Sequence, residues 1–575
     1  MYFELKEKLK NRLQKETGAY MKRGAKHNFL LAFPNVYKVG MSNLGFHIVY
    51  DLLNKREKVF CERGFLPEEK DLAIYKKTKT PLLSLETQKY FCDFDIIGFA
   101  ISFESDYFNL LNMLKMGNIE PLQNKRKEKE PLIIAGGPCA TFNPEPLATF
   151  FDAFIIGEGE VIMPKLMEVY EKSKEKNFTK REILQEFLNI DGVYVPSFYE
   201  HFYNENGTIS KIENKENAPK KVRRMWVKNL DEHNAHTIVQ TDETEFDLYL
   251  TEVARGCGRH CRFCMAGYAF RRPRNRSIDN IIESVYNAKK SNKRIGLMGA
   301  AISDYPKINE LCKKISDMNL NMSVASFRAD SVTKELVESL AKSKVKTLTI
   351  APEAGSKKLR KVINKGIEEE HIFNTIKLGV NAGIYNFKLY FMVGLPFEED
   401  EDIDEIIKLS LKIRTFMNEK NAKGLLTLSV NPFVPKPFTP FMWASMTDKK
   451  IIKQRIKRIE GSLKKERRIK VIFESPKEAE IQGILARGDR RISEAILLAA
   501  EKGGAKFFLE GLREKNIDYR FYLTRKYEKN EIFSWETIDI GVKKEYLYNE
   551  FLLAKKGGPT PSCFDGCRRC GVCEG

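Results

Sequence analysis

The chain has 575 residues, too many for one ordinary hydrophobic core, so two to four domains are expected. Its 42% hydrophobic and 30% charged content excludes collagen-like and broadly disordered classes. A formal net charge of +19 favours polyanionic partners without choosing one.

The N-terminus, MYFELKEKLKNRLQKE, lacks the apolar centre of a secretion signal, and no apolar run reaches the roughly 18–20 residues of a membrane span. A cytoplasmic protein with no membrane partner is the expectation. In the first segment, residues 1–197, short apolar runs alternate with amphipathic stretches. Strands are predicted at Phe29–Phe33, Ile96–Ser102, Leu132–Ala135 and Ala153–Ile156, with helices at Leu44–Leu53 and Phe108–Met116. Nearly all-apolar runs suit strands buried on both faces of a parallel sheet, so a Rossmann-like α/β domain is predicted. Ligands of such sheets sit beyond the carboxyl ends of the strands. Three glycine stretches fall near such ends: Gly40 to Gly45, Gly136-Gly137-Pro138 and Gly157-Glu-Gly-Glu160. Glycine allows close backbone approach to a cofactor, and equally allows a tight turn.

Residues 198–245 are polar and irregular and read as a connecting region. Strand–helix alternation resumes over residues 246–443, with strands predicted near Tyr249–Val253, Ile295–Met298, Met322–Ala325, Thr347–Ala351, Phe387–Met392 and Leu425–Val430. Six such units fit a partial (β/α)6 barrel with its active groups at the C-terminal strand ends. Residues 444–575 form a basic, mixed C-terminal region. Between Asp448 and Lys470 there are eleven Lys or Arg against three acids, and Ile451, Ile452, Ile456, Ile459 and Leu463 recur at helical spacing. That helix presents a basic face, which is either simply solvated or contacts a polyanion such as RNA.

Eleven cysteines divide into two tight clusters and four loners, Cys61, Cys92, Cys139 and Cys312, which read as small buried hydrophobes. The first cluster is Cys257-Gly-Arg-His-Cys261-Arg-Phe-Cys264, directly after a predicted strand. Three thiolates on one loop bind three irons of a 4Fe–4S cluster and leave the fourth open, which is what the amino and carboxylate groups of S-adenosylmethionine (SAM) need. A zinc knuckle would have to recruit His260, which sits directly beside Cys261 and would strain a tetrahedral site. The second cluster, Cys563, Cys567, Cys570 and Cys573, ends the chain. Four thiols make a complete site, for a second iron–sulfur cluster or a zinc, and the ferredoxin-like spacing favours iron–sulfur.

Residues 246–443 resemble the radical SAM superfamily. The resemblance implies that Cys257, Cys261 and Cys264 hold the cluster and that the Phe263 backbone touches the SAM adenine. It implies that Gly299 and Ala300 lie where the family's glycine-rich stretch meets the SAM amino group. The family's acid is missing there, so backbone carbonyls would act. Ser326, Arg328 and Glu353 look like SAM carboxylate and ribose contacts, and Gly394 matches the later strand-end turn. No catalytic acid or base stands out. Residues 29–160 resemble the cobalamin-binding domain upstream of many radical SAM cores, with Gly136, Gly137 and Gly157 as cofactor-facing positions. The DxHxxG motif, whose histidine serves as a lower axial ligand, is absent, and His47 falls in an apolar helix and reads as packing. Taken with Pro34 to Gly45, Val434 to Trp443 and the cysteine tail, the chain looks like a branch of cobalamin-domain radical SAM proteins ending in a cysteine-rich tail.

The function expected is reductive cleavage of SAM to a 5′-deoxyadenosyl radical, for cobalamin-linked methyl transfer, with an external electron donor of flavodoxin or ferredoxin type. A methylthiotransferase-like modification of RNA or protein ranks lower, because the strand ends that would carry its second-cluster cysteines hold Pro34 and Ser102. A noncatalytic iron–sulfur regulator that binds nucleic acid is the reading from another class. RNA or ribosome-linked, protein and small-molecule substrates all stay open.

Overall fold

The computed structural model describes residues 2–289, 293–564 and 566–574. Its first sheet has strands β1 (His27–Phe33), β2 (Val59–Phe65), β3 (Ile96–Ala100), β4 (Leu132–Gly136), β5 (Ala153–Ile155) and β6 (Val193–Tyr194), in the order β2-β1-β3-β4-β5-β6. All pairings are parallel except β5 with β6. Phe29 to Phe33 and Leu132 to Ala135 are buried throughout, as strands covered by helices on both faces must be. One strand departs from the apolar rule. β2 buries Glu62 and Arg63 at its centre, satisfied by Ser84 and Thr87 on one side and by Glu16 and Glu86 on the other.

The second parallel array has strands β7 (Leu248–Glu252), β8 (Arg294–Met298) and β9 (Met322–Val324), then β10 (Thr347–Glu353), β11 (Asn386–Val393), β12 (Leu426–Pro432) and β13 (Ile469–Phe473). An isolated bridge between Phe327 and Ile350 joins the two runs. Along β11 burial alternates residue by residue: Phe387, Leu389, Phe391 and Val393 pack outward against helices, and Lys388, Tyr390 and Met392 face the other side. A seventh strand, β13, therefore extends the array beyond the six predicted units.

The polar stretch between the arrays contains a hairpin, Tyr199–Tyr203 with Ile209–Asn214. The basic helix spans Lys449–Leu463 and buries Ile452, Ile456, Ile459 and Leu463, while Ile451 is turned out to solvent. Part of its basic face is not free. Arg455 pairs with Glu398 and Asp400, Arg458 with Asp404, and Lys449 with Glu480. The chain after β13 folds back on the first sheet: Phe508 packs edge-on against Phe108 at 5.4 Å, and Asn143 donates to Ala486 O and Gly488 O. Of the four lone cysteines, Cys61, Cys139 and Cys312 are buried and Cys92 is partly exposed. No helix among the described residues is long and apolar enough to cross a membrane.

Candidate active site at the facing strand ends

Directly after β7, Ala254–Arg255 pairs antiparallel with Arg274–Asn275. This short ribbon pins both ends of a loop that carries Cys257, Cys261 and Cys264. Inside the loop Cys264 N–H donates to Cys261 O, and Cys264 begins a tight turn over Met265–Gly267. The three thiols lie within electrostatic reach of one another, and burial, then Cys261 and Cys257, push the Cys264 thiol up to about 12. Metal binding must displace that proton. Two cations lie beside Cys261: Arg328 Nη1 is 3.6 Å from its Sγ, and buried Lys365 interacts with it electrostatically. Among the described residues no three His, Cys, Asp or Glu side chains converge on a single-ion site. A cubane asks for something else, because each cysteine ligates its own iron.

The positions expected to meet SAM ring this loop unevenly. Met298, Gly299 and Ala300 are exposed at the end of β8, as is Ser326 beyond β9. Arg328 is buried, pairs with Asp330 at 3.1 Å and donates to Lys365 O. Glu353 pairs with Lys365 at 3.2 Å. The Phe263 ring packs with the small core around Leu359, Ile363, Leu395 and Phe441, with Lys365 Nζ 5.8 Å from its centre. Gly394 has local work: its φ is 89°, its N–H donates to Glu398 and its carbonyl accepts from Thr447. Sequence reasoning missed Lys365, and it missed Arg259, which bridges Asp304 and Asp330. Neither lies in a recognisable motif beyond the cysteine spacing.

A cavity of about 460 Å³ lies between the two arrays. The first sheet contributes Ala100 to Ser102, Gly136, Gly137 and Gly157, and the second array Glu252, Ala254, Arg255, Met298 and Gly299. A Cβ on Gly136 would meet only Ile155, at 3.6 Å, so the flat floor there is not required by the protein's own packing. Gly157 differs, since its φ of 124° and the Met225 carbonyl 2.0 Å from a would-be Cβ demand glycine on their own. An apolar cavity with a bare glycine floor suits one face of a macrocycle. His47 does not line it. Its Nε2 bonds Met41 O and its Nδ1 accepts from Val239 N–H, and burial drives its pKa down to about 4. The rim is charged: Arg255 contacts Glu158, Glu160 and Glu252 at 2.8–2.9 Å.

The cysteine tail lies behind the cluster loop. Cys563 N–H donates to Gly258 O, and Cys563 Sγ is 3.3 Å from His260 Nε2. His260 thus faces the second cysteine cluster rather than the first, and its Nδ1 meets the Tyr546 hydroxyl at 2.7 Å. Burial, then Arg271, Arg569 and Arg262, lower its pKa to about 3, so the ring is neutral.

Parallel sheets facing one another across a cavity, with a three-thiol loop at one strand end, define the class: an α/β protein with a cysteine loop at the mouth of its second strand array. Two family models match the chain, "Radical SAM proteins, N-terminal" over residues 45–196 and "Radical SAM superfamily" over residues 251–410. An uncharacterized protein of Methanocaldococcus jannaschii is 33% identical over 470 residues, covering 81% of this chain and 90% of that one. The threonylcarbamoyladenosine tRNA methylthiotransferase of Aquifex aeolicus is 23% identical over 390 residues, covering 65% of this chain and 80% of that one. The solved structure of TsrM, a radical S-adenosylmethionine methyltransferase from Kitasatospora setae with cobalamin and a [4Fe-4S] cluster bound, aligns with a TM-score of 0.52 at 11% identity. It covers 84% of this chain and 100% of that one, a likeness of fold. The chain belongs to the radical SAM superfamily, and membership implies a 4Fe–4S cluster and SAM.

Proposed function

We propose that the protein is a radical SAM enzyme that uses cobalamin to transfer a methyl group to its substrate. Cys257, Cys261 and Cys264 hold the cluster. When bound, the cluster and SAM supply a 5′-deoxyadenosyl radical, and cobalamin supplies a methyl carrier. Arg328 and Lys365 offset thiolate charge, while Glu353 and the open ends of β8 and β9 face the SAM side. Gly136, Gly137 and Gly157 would floor the corrin site, and among the described residues no histidine lines that cavity. The single observation that carries this reading is the shared cavity, walled by strand ends of both arrays and reaching Met298 and Gly299 beside the cysteine ribbon.

A methylthiotransferase needs cysteines for a second cluster at the first sheet's strand ends. Ser102 lines the cavity and none of the lone cysteines does, which favours the cobalamin reading. The tail thiols hold a second iron–sulfur cluster, and a flavodoxin- or ferredoxin-type carrier supplies electrons. Exposed lysines of the basic helix with no ion pair among the described residues, Lys453 and Lys457 among them, support an RNA-like substrate over a neutral one. Anaerobic reconstitution with cobalamin tests the central claim. Binding is expected, with no protein-nitrogen splitting in the Co(II) paramagnetic resonance spectrum and with 5′-deoxyadenosine formed on reduction. Failure to bind cobalamin at micromolar concentration defeats the methyl-transfer reading, and absence of 5′-deoxyadenosine defeats the radical one.

A further inference from the structure

The CxxxCxxC loop spends its intervening residues on the C-terminal region. Arg262, between Cys261 and Phe263, is fully buried and pairs with Glu550 of the helix Lys544–Lys555 at 3.0 Å. It also donates to Gly558 O at 2.7 Å and Thr560 Oγ1 at 3.2 Å. Asn364 ties the His260 carbonyl to Thr560. The tail backbone then reaches the loop itself through Cys563 N–H to Gly258 O at 2.8 Å, one residue after Cys257.

The chemistry around the tail thiols is cationic. Arg271 is 1% exposed, and its Nη1 makes no hydrogen bond. The acidic groups around it are the Tyr268, Tyr546, Cys563 and Cys570 side chains, with Cys570 close enough to accept from the guanidinium. Arg569 Nε lies 3.2 Å from Cys567 Sγ. A buried guanidinium whose acidic neighbours are neutral thiols and phenols keeps an uncompensated charge, which is costly unless an anion completes its surroundings. A metal centre with four thiolates is such an anion. Four protonated thiols are not.

Resting on the reading of the tail as a second iron–sulfur site, we propose that this site and the radical-cluster loop share one residue, His260. Its Nε2–H donates to the Cys563 sulfur of the tail centre, so a second metal centre braces the radical-cluster loop from behind. The proton arrangement follows from the contacts. A metal-bound thiolate carries no proton, so the 3.3 Å contact requires the proton on Nε2. Nδ1 is then bare and accepts from the Tyr546 hydroxyl at 2.7 Å, which the geometry allows. His260 is a positioning residue for the radical cluster and a tuning residue for the tail centre. Hydrogen bonds to a cluster's sulfurs stabilise its reduced, more negative state and raise its potential.

The test uses full-length protein with Cys257, Cys261 and Cys264 replaced by Ala, reconstituted anaerobically so that only the tail centre remains. About four irons per chain are expected. In that background His260→Phe shifts the tail centre's midpoint to lower potential in redox titration followed by paramagnetic resonance, and His260→Gln, which keeps an N–H donor, restores it. No iron in the background protein defeats the second-cluster reading. Iron present with an unmoved potential in His260→Phe leaves that reading intact and overturns the role of His260. Histidine labelled with ¹⁵N in the background protein gives an independent readout should His260→Phe fail to fold. A weak hyperfine coupling of one non-ligand nitrogen supports the proposal, and no coupling, or the strong coupling of a ligand, overturns it.

Discussion

Replacing Arg255 by Met probes the seam on which the proposed cofactor site depends. Its guanidinium contacts Glu158, Glu160 and Glu252, all on the rim of the cavity and all 9% exposed or less at the side chain. Breaking a buried ion pair by removing one partner costs about 3–5 kcal/mol, because the surviving charge stays uncompensated. Two of the three carboxylates keep another guanidinium: Glu158 pairs with Arg274 at 2.7 Å and Glu252 with Arg276 at 2.8 Å. Glu160 has its ion pair with Arg255 alone among the described residues. One carboxylate is therefore orphaned rather than three, and the loss belongs near the lower bound, about 3 kcal/mol. Arg255→Met with Glu160→Gln removes the orphan and should recover about 2 kcal/mol, a coupling that a double-mutant cycle reads. Urea unfolding followed by tryptophan fluorescence reports on this seam, since the Trp226 ring lies 5.1 Å from the Arg274 guanidinium. A loss under about 1 kcal/mol, or additivity of the two substitutions, refutes the reasoning.

Alanine at Cys257, Cys261 or Cys264 should abolish 5′-deoxyadenosine formation and remove about four irons per chain while leaving the far-ultraviolet circular dichroism unchanged. Iron and product at wild-type levels in any of the three would contradict the ligand assignment. Gly136→Ala should weaken cobalamin binding, measured by equilibrium titration, with little change in melting temperature because only Ile155 lies within 4 Å of the added Cβ. Burial raises the Glu398 carboxyl to about 7 from 4.5, despite Gly394 N–H and Arg455. The folded state thus holds a proton that the unfolded state has released, so stability falls as pH rises from 4.5 to about 7, by about 3 kcal/mol at roughly 1.4 per unit. Glu398→Gln should flatten that part of the urea-midpoint profile, and an unchanged slope would refute the assignment.

The first sheet was legible wherever its strands are continuous apolar runs, as in β1, β3, β4 and β5. β2 escaped because Glu62 and Arg63 interrupt VFCERGF, and their partners Glu16, Ser84 and Glu86 lie far enough along the chain that no local pattern announces the pairing. β13 escaped for a different reason: its residues are only half-covered, so IKVIF after a lysine-rich helix reads as loop. The cysteine spacing made the candidate cluster loop the easiest part of the site to propose, since ligand count and order are local. The rim of the cavity was not, because Arg255, Glu158 and Glu160 acquire meaning only once two sheets face each other. The same holds for His260. Local reasoning can weigh it only as a strained fourth ligand of its own loop, whereas its neighbour, Cys563, is 303 residues away.

The residues between the cysteines explain how three segments of chain become one site. In Cys257-Gly-Arg-His-Cys261-Arg-Phe-Cys264 each non-glycine spacer is engaged by a different neighbour. Arg259 is held by Asp304 and Asp330 beyond β8 and β9, His260 by the tail, Arg262 by the C-terminal helix, and Phe263 by the small core around Leu359 and Phe441. The first sheet takes the far end of the loop, where Phe270 packs on Phe142 at 5.6 Å and Arg274 reaches Glu158. A loop with little regular structure of its own would otherwise have many conformations in which three thiols do not share a volume. Anchoring every spacer removes that freedom before metal arrives, which is the preorganisation a cluster site needs. It also couples the parts. The sheet that walls the cavity, the array whose strand ends carry the proposed SAM contacts and the cysteine tail each fix a separate part of one loop, so a change in any of the three is felt at the same thiols.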